Sequence, residues 1–195
     1  PENGIIIHSD LLLEYLKTNF PHFYFVSSTT KVLTEWNDFE EELKRPEFAY
    51  VVPDFRLNTA KELFSNEKAF SIESYKGKIE FLCNECCSFT CKTRKMCYKN
   101  VSKLCLGIQT EEWKCSSENA SEGYKFSNAM KNPAFIGLSH IQEKYLPAGY
   151  TNFKIEGRSL GSALLLEFIL YYMTKPEHQI QVREEIYLDN TLDLF

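Results

Sequence analysis

Cysteines are the residues of this sequence whose type and grouping point most directly to chemistry. There are seven, at positions 83, 86, 87, 91, 97, 105 and 115, and all of them fall within residues 83–115. Thiolates grouped densely in a polar segment are typical of soft or borderline metals, as in a zinc site or an iron–sulfur cluster. We therefore predict that residues 83–115 form a metal or cluster segment.

The spacing of these cysteines favours a cluster over a zinc site. Cys83 and Cys86 have nominal C-x2-C spacing, but the two clean C-x2-C pairs typical of many zinc sites are not present. Cys87 and Cys91 have C-x3-C spacing, and the others are irregularly placed single cysteines, as around a cluster with four thiolates. Disulfides and unligated thiols stay open as alternatives. Cys83 alternates with Phe81 on a predicted strand, which predicts a small core residue.

A second set of polar residues follows the predicted strands, at the ends where parallel sheets and barrels bind their ligands. Both signs of charge and several hydroxyls are present, which suits a polar small substrate that is anionic or hydroxylated. The structural alternative is that Asp54 and Asn58 cap the next helix and that Arg158 pairs with a carboxylate. The set consists of Ser27, Ser28, Thr29, Thr30, Asp54, Arg56, Asn58, Asn84, Glu85, Glu156 and Arg158.

The elements that position these residues alternate between strands and helices. Apolar runs at 22–27, 48–53, 78–83 and 152–156 suit buried parallel strands. Amphipathic patterns between them predict helices that begin near Ser9, Thr34 and Asn58, and the Ser139/Gln142 spacing predicts a capping box. This alternation predicts an α/β protein with a parallel sheet.

Between a doubly wound sheet and a barrel, the sequence favours the barrel. A glycine-rich fingerprint, which would indicate nucleotide binding, follows none of the predicted strands. A complete (β/α)8 barrel takes about 250 residues, whereas this chain has 195. We therefore predict a single domain over 1–195 that is a partial TIM-like barrel with a cysteine-rich insertion, the C-terminal part of a larger barrel completed by an N-terminal half or a partner chain.

The amino-acid composition excludes further classes of protein. The 22 Lys and Arg against 27 Asp and Glu give a net charge of −5, which argues against a globally basic nucleic-acid coat but allows a local basic patch. No apolar run is long enough for a membrane span, and no signal indicates an oxidising compartment, so a cytoplasmic protein is expected. None of the four histidines makes a convincing site, and no Ser/His/Asp arrangement is visible.

Two segments together resemble the collagenase-like peptidase family. Residues 84–94, Asn-Glu-Cys-Cys-Ser-Phe-Thr-Cys-Lys-Thr-Arg, look like the family's N-E-x-C-x3-C-x2-R stretch after a strand. Residues 152–158, Asn-Phe-Lys-Ile-Glu-Gly-Arg, resemble its F-K-I-E-G-R strand end, and residues 51–58 are similar to a third, weaker stretch. The three occur in the expected order across roughly residues 48–175.

The resemblance implies a TIM-barrel-like catalytic region with a [4Fe-4S] cluster held by four cysteines. Some relatives are implicated in oxygen-independent hydroxylation of a quinone precursor or of RNA bases, with prephenate as oxygen donor, and proteolysis is the older attribution. The matching positions give the ligands as Cys87, Cys91 and Cys115, with Cys97 preferred over Cys86 or Cys105 as the fourth. They also put Glu156 and Arg158 in the substrate pocket, and we add Arg56 beside them.

This chain departs from the family pattern in ways that keep other functions open. Two adjacent cysteines, Cys86 and Cys87, replace the usual single one, and Cys97 stands where relatives often have His before Tyr98. The leading hypothesis is an iron–sulfur enzyme domain that acts on a small molecule or an RNA base. The alternatives are a structural zinc-binding or interaction module without catalysis, and a peptidase-like hydrolase.

Overall fold

A computed structural model of the chain describes residues 3–65, 72–108, 114–115, 125–157 and 161–192. Its five short strands are β1 (Gly4–Ile7), β2 (Tyr24–Ser27), β3 (Phe48–Val51), β4 (Glu80–Leu82) and β5 (Asn152–Lys154). All strand pairs are parallel: β2 lies between β1 and β3, and β4 pairs with β5. A parallel bridge between Val51 and Ile79 joins the two sheets.

In the residues that the structure describes, seven α-helices or helical turns connect or follow these strands. The α-helices are α1 (Asp10–Asn19), α2 (Trp36–Lys44), α3 (Arg94–Cys105), α4 (Phe126–Lys131), α5 (Leu138–His140), α6 (Ser162–Met173) and α7 (Gln179–Leu192). α5 continues as a π-helical turn over Ile141–Tyr145. Short 3-10 helical segments lie between these elements at Thr29–Lys31, Phe55–Thr59, Lys61–Leu63, Glu73–Lys78 and Pro176–His178. No helix in the described ranges is long and apolar enough to cross a membrane.

The central strand β2 buries side chains on both of its faces, since the neighbouring residues Phe25 and Val26 are both buried. On one face Phe25, Phe48 and Phe81 pack into the main core with side chains from α1 and α2. On the other face Val26 and Leu82 form a smaller cluster with Val52, against which Tyr24 and Tyr50 pack. Parallel strands with both faces covered are characteristic of α/β proteins.

An aromatic group anchors β4 in the main core. Phe81 is fully buried, with its ring centroid 5.0 Å from that of Tyr145 and 5.1 Å from that of Tyr150. The two phenols are satisfied by backbone, since Tyr145 donates to the carbonyl of Asn58 and Tyr150 to that of Leu63, each over 2.7 Å. These hydrogen bonds fix the turns after β3 to the helix that precedes β5.

The mixed α/β class with parallel strands is confirmed, and each of the four predicted strand runs contains an observed strand. The strands in the described part do not close into a barrel. The predicted capping box at Ser139 is wrong, because α5 begins one residue earlier with Gly137 as its N-cap. The helix expected from Asn58 is instead a 3-10 turn, Phe55–Thr59, that Asp54 caps by accepting from the Arg56 amide.

Candidate functional site

The loops that follow β3 and β4 meet at one edge and bring four charged side chains together. Asp54 is fully buried and accepts two hydrogen bonds from the Arg56 guanidinium, from Nε over 2.6 Å and from Nη2 over 3.0 Å. Arg56 also donates through Nη1 to the carbonyl of Cys91 over 2.7 Å. This charge-assisted pair therefore fixes the thiol-bearing loop to the end of β3.

Arg94, the first residue of α3, is the buried centre of this edge. Its side chain is only 4% exposed, and Nη2 donates to Glu85 Oε2 and to the Tyr98 hydroxyl, each over 2.5 Å. Arg94 Nε lies 3.5 Å from Asp54 Oδ2 but makes no hydrogen bond to any described residue. The guanidinium also lies over the ring of Phe55, 4.7 Å from its centroid. One N–H of a buried cation is thus left without an acceptor.

Glu85 and Asn132 hold the loop that carries the thiols. Glu85 Oε1 accepts from the backbone N–H of Cys87 over 2.8 Å while its other oxygen pairs with Arg94. The Asn132 amide donates to the carbonyls of Glu85 and Cys87 over 3.1 and 2.9 Å, and its oxygen accepts from the Ala134 amide. Because these contacts involve backbone groups, the path of the loop does not depend on the thiol side chains.

Cys87 and Cys91 interact with each other in unlike environments, Cys87 beside Arg94 and Cys91 near the charge of Arg56. Burial raises the pKa of Cys87 to about 12, although the charge of Arg94 and a hydrogen bond with it act in the opposite direction. Burial acts to raise the pKa of Cys91 too, but hydrogen bonds with Thr93 and Cys87 and the charge of Arg56 bring this pKa below its ordinary value. Cys91 is the better thiolate of the pair.

This difference predicts an order of alkylation in the metal-free protein. The reactive species is the thiolate, so at mildly alkaline pH we expect iodoacetamide to modify Cys91 before Cys87. The thiolate fraction of Cys87 grows only as pH rises towards about 12, so its rate increases with pH after that of Cys91 levels off. Peptide mass spectrometry measures both rates, with exposed Cys105 as the reference. Faster modification of Cys87 contradicts the described burial of the two thiols.

The structure brings Asp54, Arg56 and Glu85 of the predicted strand-end set together at this edge. Asn84 is buried and structural: its amide donates to the Glu156 carbonyl over 2.9 Å, and its oxygen accepts from the Glu156 amide over 2.8 Å. Asn58 is structural as well, since its amide donates to the carbonyls of Leu82 and Ala134. Arg158 lies outside the described residues.

Other members of that set take part in a separate network. Ser27 donates to the buried carboxylate of Glu42, which also pairs with Lys31. Burial acts to raise the pKa of Glu42, but hydrogen bonds from Lys31 and Ser27 outweigh it, and the pKa is lowered. These hydroxyl and carboxylate groups therefore tie β2 to α2.

All seven cysteines are in the described part, and no disulfide joins them. Cys83 is buried in the main core, which confirms its prediction. Cys86 and Cys97 are half-buried, whereas Cys105 and Cys115 are exposed. Among the described residues no group of three or more Cys, His, Asp or Glu side chains is placed to hold a metal ion. Of the four predicted ligands the structure therefore brings together Cys87 and Cys91, and two thiols do not satisfy a cluster that takes four.

Three side chains important to this edge were not among the predicted site residues: Arg94, Tyr98 and Asn132. The sequence does carry a signal for Arg94, because it is the arginine that ends the 84–94 motif. Asn132 has no local signal, since it is 47 residues from Glu85, whose carbonyl it binds.

The fold is that of a mixed α/β protein with parallel strands. Its candidate site consists of two thiols and two guanidiniums in the segments that follow β3 and β4. No family model, curated protein or solved structure matches this chain.

Proposed function

We propose that this chain is an enzyme domain related to the collagenase-like peptidase family, in which Cys87 and Cys91 are two of the ligands of a thiolate-bound iron–sulfur centre. The observation that carries the proposal is that the two thiols interact with each other, with Arg94 beside Cys87 and Arg56 bound to the Cys91 carbonyl. When bound, such a centre would supply redox chemistry or activate an oxygen species, as in oxygen-independent hydroxylation. Cys97 and Cys115 remain the proposed further ligands.

The charges around the thiols support this assignment. Deprotonating two neighbouring thiols concentrates negative charge, and a buried negative charge is unfavourable unless it is compensated. Arg56 and Arg94 both lower the pKa of a thiol beside them. Asp54 and Glu85, which hold the two arginines, therefore act as positioning residues for the thiols.

For the substrate, the proposal keeps a small anionic or hydroxylated molecule at the same edge. Arg56 is only partly buried, with 18% of its side chain exposed, and Glu156 follows β5, the strand paired with β4. A guanidinium binds a carboxylate with two parallel hydrogen bonds, which is the role proposed for Arg158. Arg56, whose guanidinium is already paired with Asp54, would lie beside the substrate. Glu156 would orient a substrate hydroxyl group.

The order of the strands favours a barrel-like arrangement for this domain. In both sheets the neighbours are consecutive strands, and the Val51–Ile79 bridge continues the same order from β3 towards β4. A doubly wound sheet reverses its strand order at a switch point, whereas a (β/α)8 barrel does not. We therefore propose that the five strands are part of a TIM-like barrel that further strands would complete.

Metal analysis tests the proposal directly. The protein is purified without oxygen and assayed for iron, acid-labile sulfide and zinc, together with Cys87→Ser and Cys91→Ser variants. We expect iron and sulfide in equal amounts in the parent protein and loss of most of both in either variant. Cys83→Ala is the matched control, since it removes a thiol from the core and should leave the metal content unchanged.

The other outcomes identify the alternatives. Stoichiometric zinc without sulfide, with loss of folding on chelation, would replace the proposal by a structural zinc module. No bound metal after anaerobic purification would exclude both metal hypotheses. To support a peptidase, the parent protein would have to cleave peptides, and the Arg56→Lys variant would have to lose this cleavage while its thermal unfolding midpoint stays unchanged.

A further inference from the structure

The segment between Glu85 and Glu111 has a charge opposite to that of the rest of the chain. It carries five cations, Lys92, Arg94, Lys95, Lys99 and Lys103, and no Asp or Glu. The whole chain has a net charge of −5, so the remainder has a net charge of −10. The four lysines form no ion pair with any residue that the structure describes, in contrast to Arg94. Their charges are available to a partner.

Helix α3 arranges three of these four lysines as one ridge. Lys95, Lys99 and Lys103 are spaced by four residues, which places them above one another on a single helix face. The face that carries Arg94 and Tyr98, also four residues apart, is turned towards the site, since Arg94 is buried and contacts Glu85. The lysine ridge is therefore separate from the thiol–guanidinium edge.

An apolar ridge runs beside the basic one. Met96 and Leu104 each follow a ridge lysine by one position, and Leu106 and Ile108 extend the apolar surface past the end of the helix. Together with Val101, these side chains are between 49% and 73% exposed. Five large apolar side chains at water-accessible positions around one short helix mark a surface that binds a partner.

We propose that helix α3 and the turn after it dock this protein on the surface of an anionic lipid bilayer. In such docking, aliphatic side chains enter the boundary between headgroups and acyl chains while adjacent lysines reach the lipid phosphates. The two ridges of α3 supply both halves of this arrangement. The inference does not depend on the metal centre or on the family.

The chemistry of the two ridges favours lipid over nucleic acid. Surfaces that bind single-stranded nucleic acids present aromatic rings for base stacking, but Tyr98, the aromatic residue of α3, is half-buried with its hydroxyl against Arg94. The exposed apolar side chains are aliphatic or thioether groups, which do not stack on bases but do fill the lipid interface. Lysine, unlike arginine, binds phosphate as a point charge without fixed geometry.

Sedimentation with lipid vesicles tests the proposal on the full chain. Vesicles of phosphatidylcholine with phosphatidylserine are compared with vesicles of phosphatidylcholine alone, at low and high salt. We expect binding to the anionic vesicles only, weakened by salt because salt screens the lysine charges. Lys95→Gln, Lys99→Gln and Lys103→Gln together should weaken binding at least about tenfold, because each lysine near an anionic surface contributes about fivefold.

Two further variants separate this docking from general charge attraction. Lys61→Gln, Lys131→Gln and Lys175→Gln together make the same change in net charge at exposed positions elsewhere and should alter binding less than about twofold. Leu104→Ser with Leu106→Ser keeps every lysine and should also weaken binding. Circular dichroism verifies that each variant is folded. Absence of vesicle binding, equal losses in the two lysine triples, or binding of single-stranded RNA alone through the ridge would overturn the proposal.

Discussion

Replacing Arg94 with Met is expected to lower the free energy of unfolding by about 3–5 kcal/mol, the range for breaking a buried ion pair by removing one partner. The methionine fills much of the space of the arginine stem, but Glu85 then has a buried carboxylate whose cation is gone. Asp54 loses the more distant of its two cations, while its bidentate pair with Arg56 stays intact. Urea unfolding followed by circular dichroism measures the loss.

The chain offers an exposed pair with similar chemistry as the control. Arg183 contacts both oxygens of Glu167, but the two side chains are 48% and 36% exposed. Such a pair contributes about 0–1 kcal/mol, so Arg183→Met should change the unfolding free energy by no more than that. Equal losses at the two sites would contradict the assignment of Arg94 as a buried, paired cation.

A double-mutant cycle isolates the interaction between Arg94 and Glu85. Glu85→Gln removes the charge but keeps an oxygen for the amide of Cys87. The loss in the double variant should be smaller than the sum of the two single losses by at least about 1 kcal/mol, because neither charge is then left unpaired. Strict additivity would mean that the two groups do not stabilise each other.

The strands of this protein could be predicted because several of them lie in apolar runs of the sequence. A run such as residues 48–53 has no polar alternation, which is typical of a strand in a parallel sheet. The position of Cys83 in the core followed from the same period-two pattern, since it lies two residues after Phe81. β1 is not among the predicted strands although Ile5, Ile6 and Ile7 are β-branched, because a strand of four residues is too short for a clear pattern.

Helix boundaries were harder to predict because a sequence that could form a side-chain cap does not by itself decide at which residue the helix begins. Ser139 and Gln142 have the spacing of a capping box, yet α5 begins at Leu138 after Gly137 without a side-chain cap. Asp54 was weighed as a cap, and it does accept from the Arg56 amide. The same carboxylate pairs with Arg56 and Arg94, so Asp54 is both a cap and a member of the charged edge.

The site was predictable only as far as it follows from the positions of the strand ends. Asp54, Arg56 and Glu85 were found because carboxyl ends of parallel strands meet at one edge. The burial of Arg94 and the role of Asn132 depend on how the loop after β4 folds back, which no local pattern encodes. The tertiary environment likewise decides that Cys87 and Cys91, both half-buried, have pKa shifts of opposite direction.

Replacing Phe81 with Ala is expected to lower the free energy of unfolding by about 3–5 kcal/mol, the range for removing a fully buried phenyl ring. Phe81 makes aromatic contacts with Tyr145, Tyr150 and Phe153, so its loss leaves a cavity that several rigid rings line and cannot fill. Because those phenols hold the turns after β3, the loss also reaches the backbone that supports the site.

Hydrogen exchange distinguishes this coupled effect from a simple cavity. In Phe81→Ala the amides of Cys83 and Cys87 should exchange faster, since β4 leads directly into the thiol loop and Cys83 N–H donates to the Lys154 carbonyl across β5. Phe20→Ala is the control: Phe20 is 40% exposed at the end of α1, and its removal should change stability by about 0.5 kcal/mol or less. If Phe81→Ala is destabilised while exchange in the loop is unchanged, the aromatic core and the thiol loop are energetically independent, and the site is held by the Glu85, Asn132 and Arg94 contacts alone.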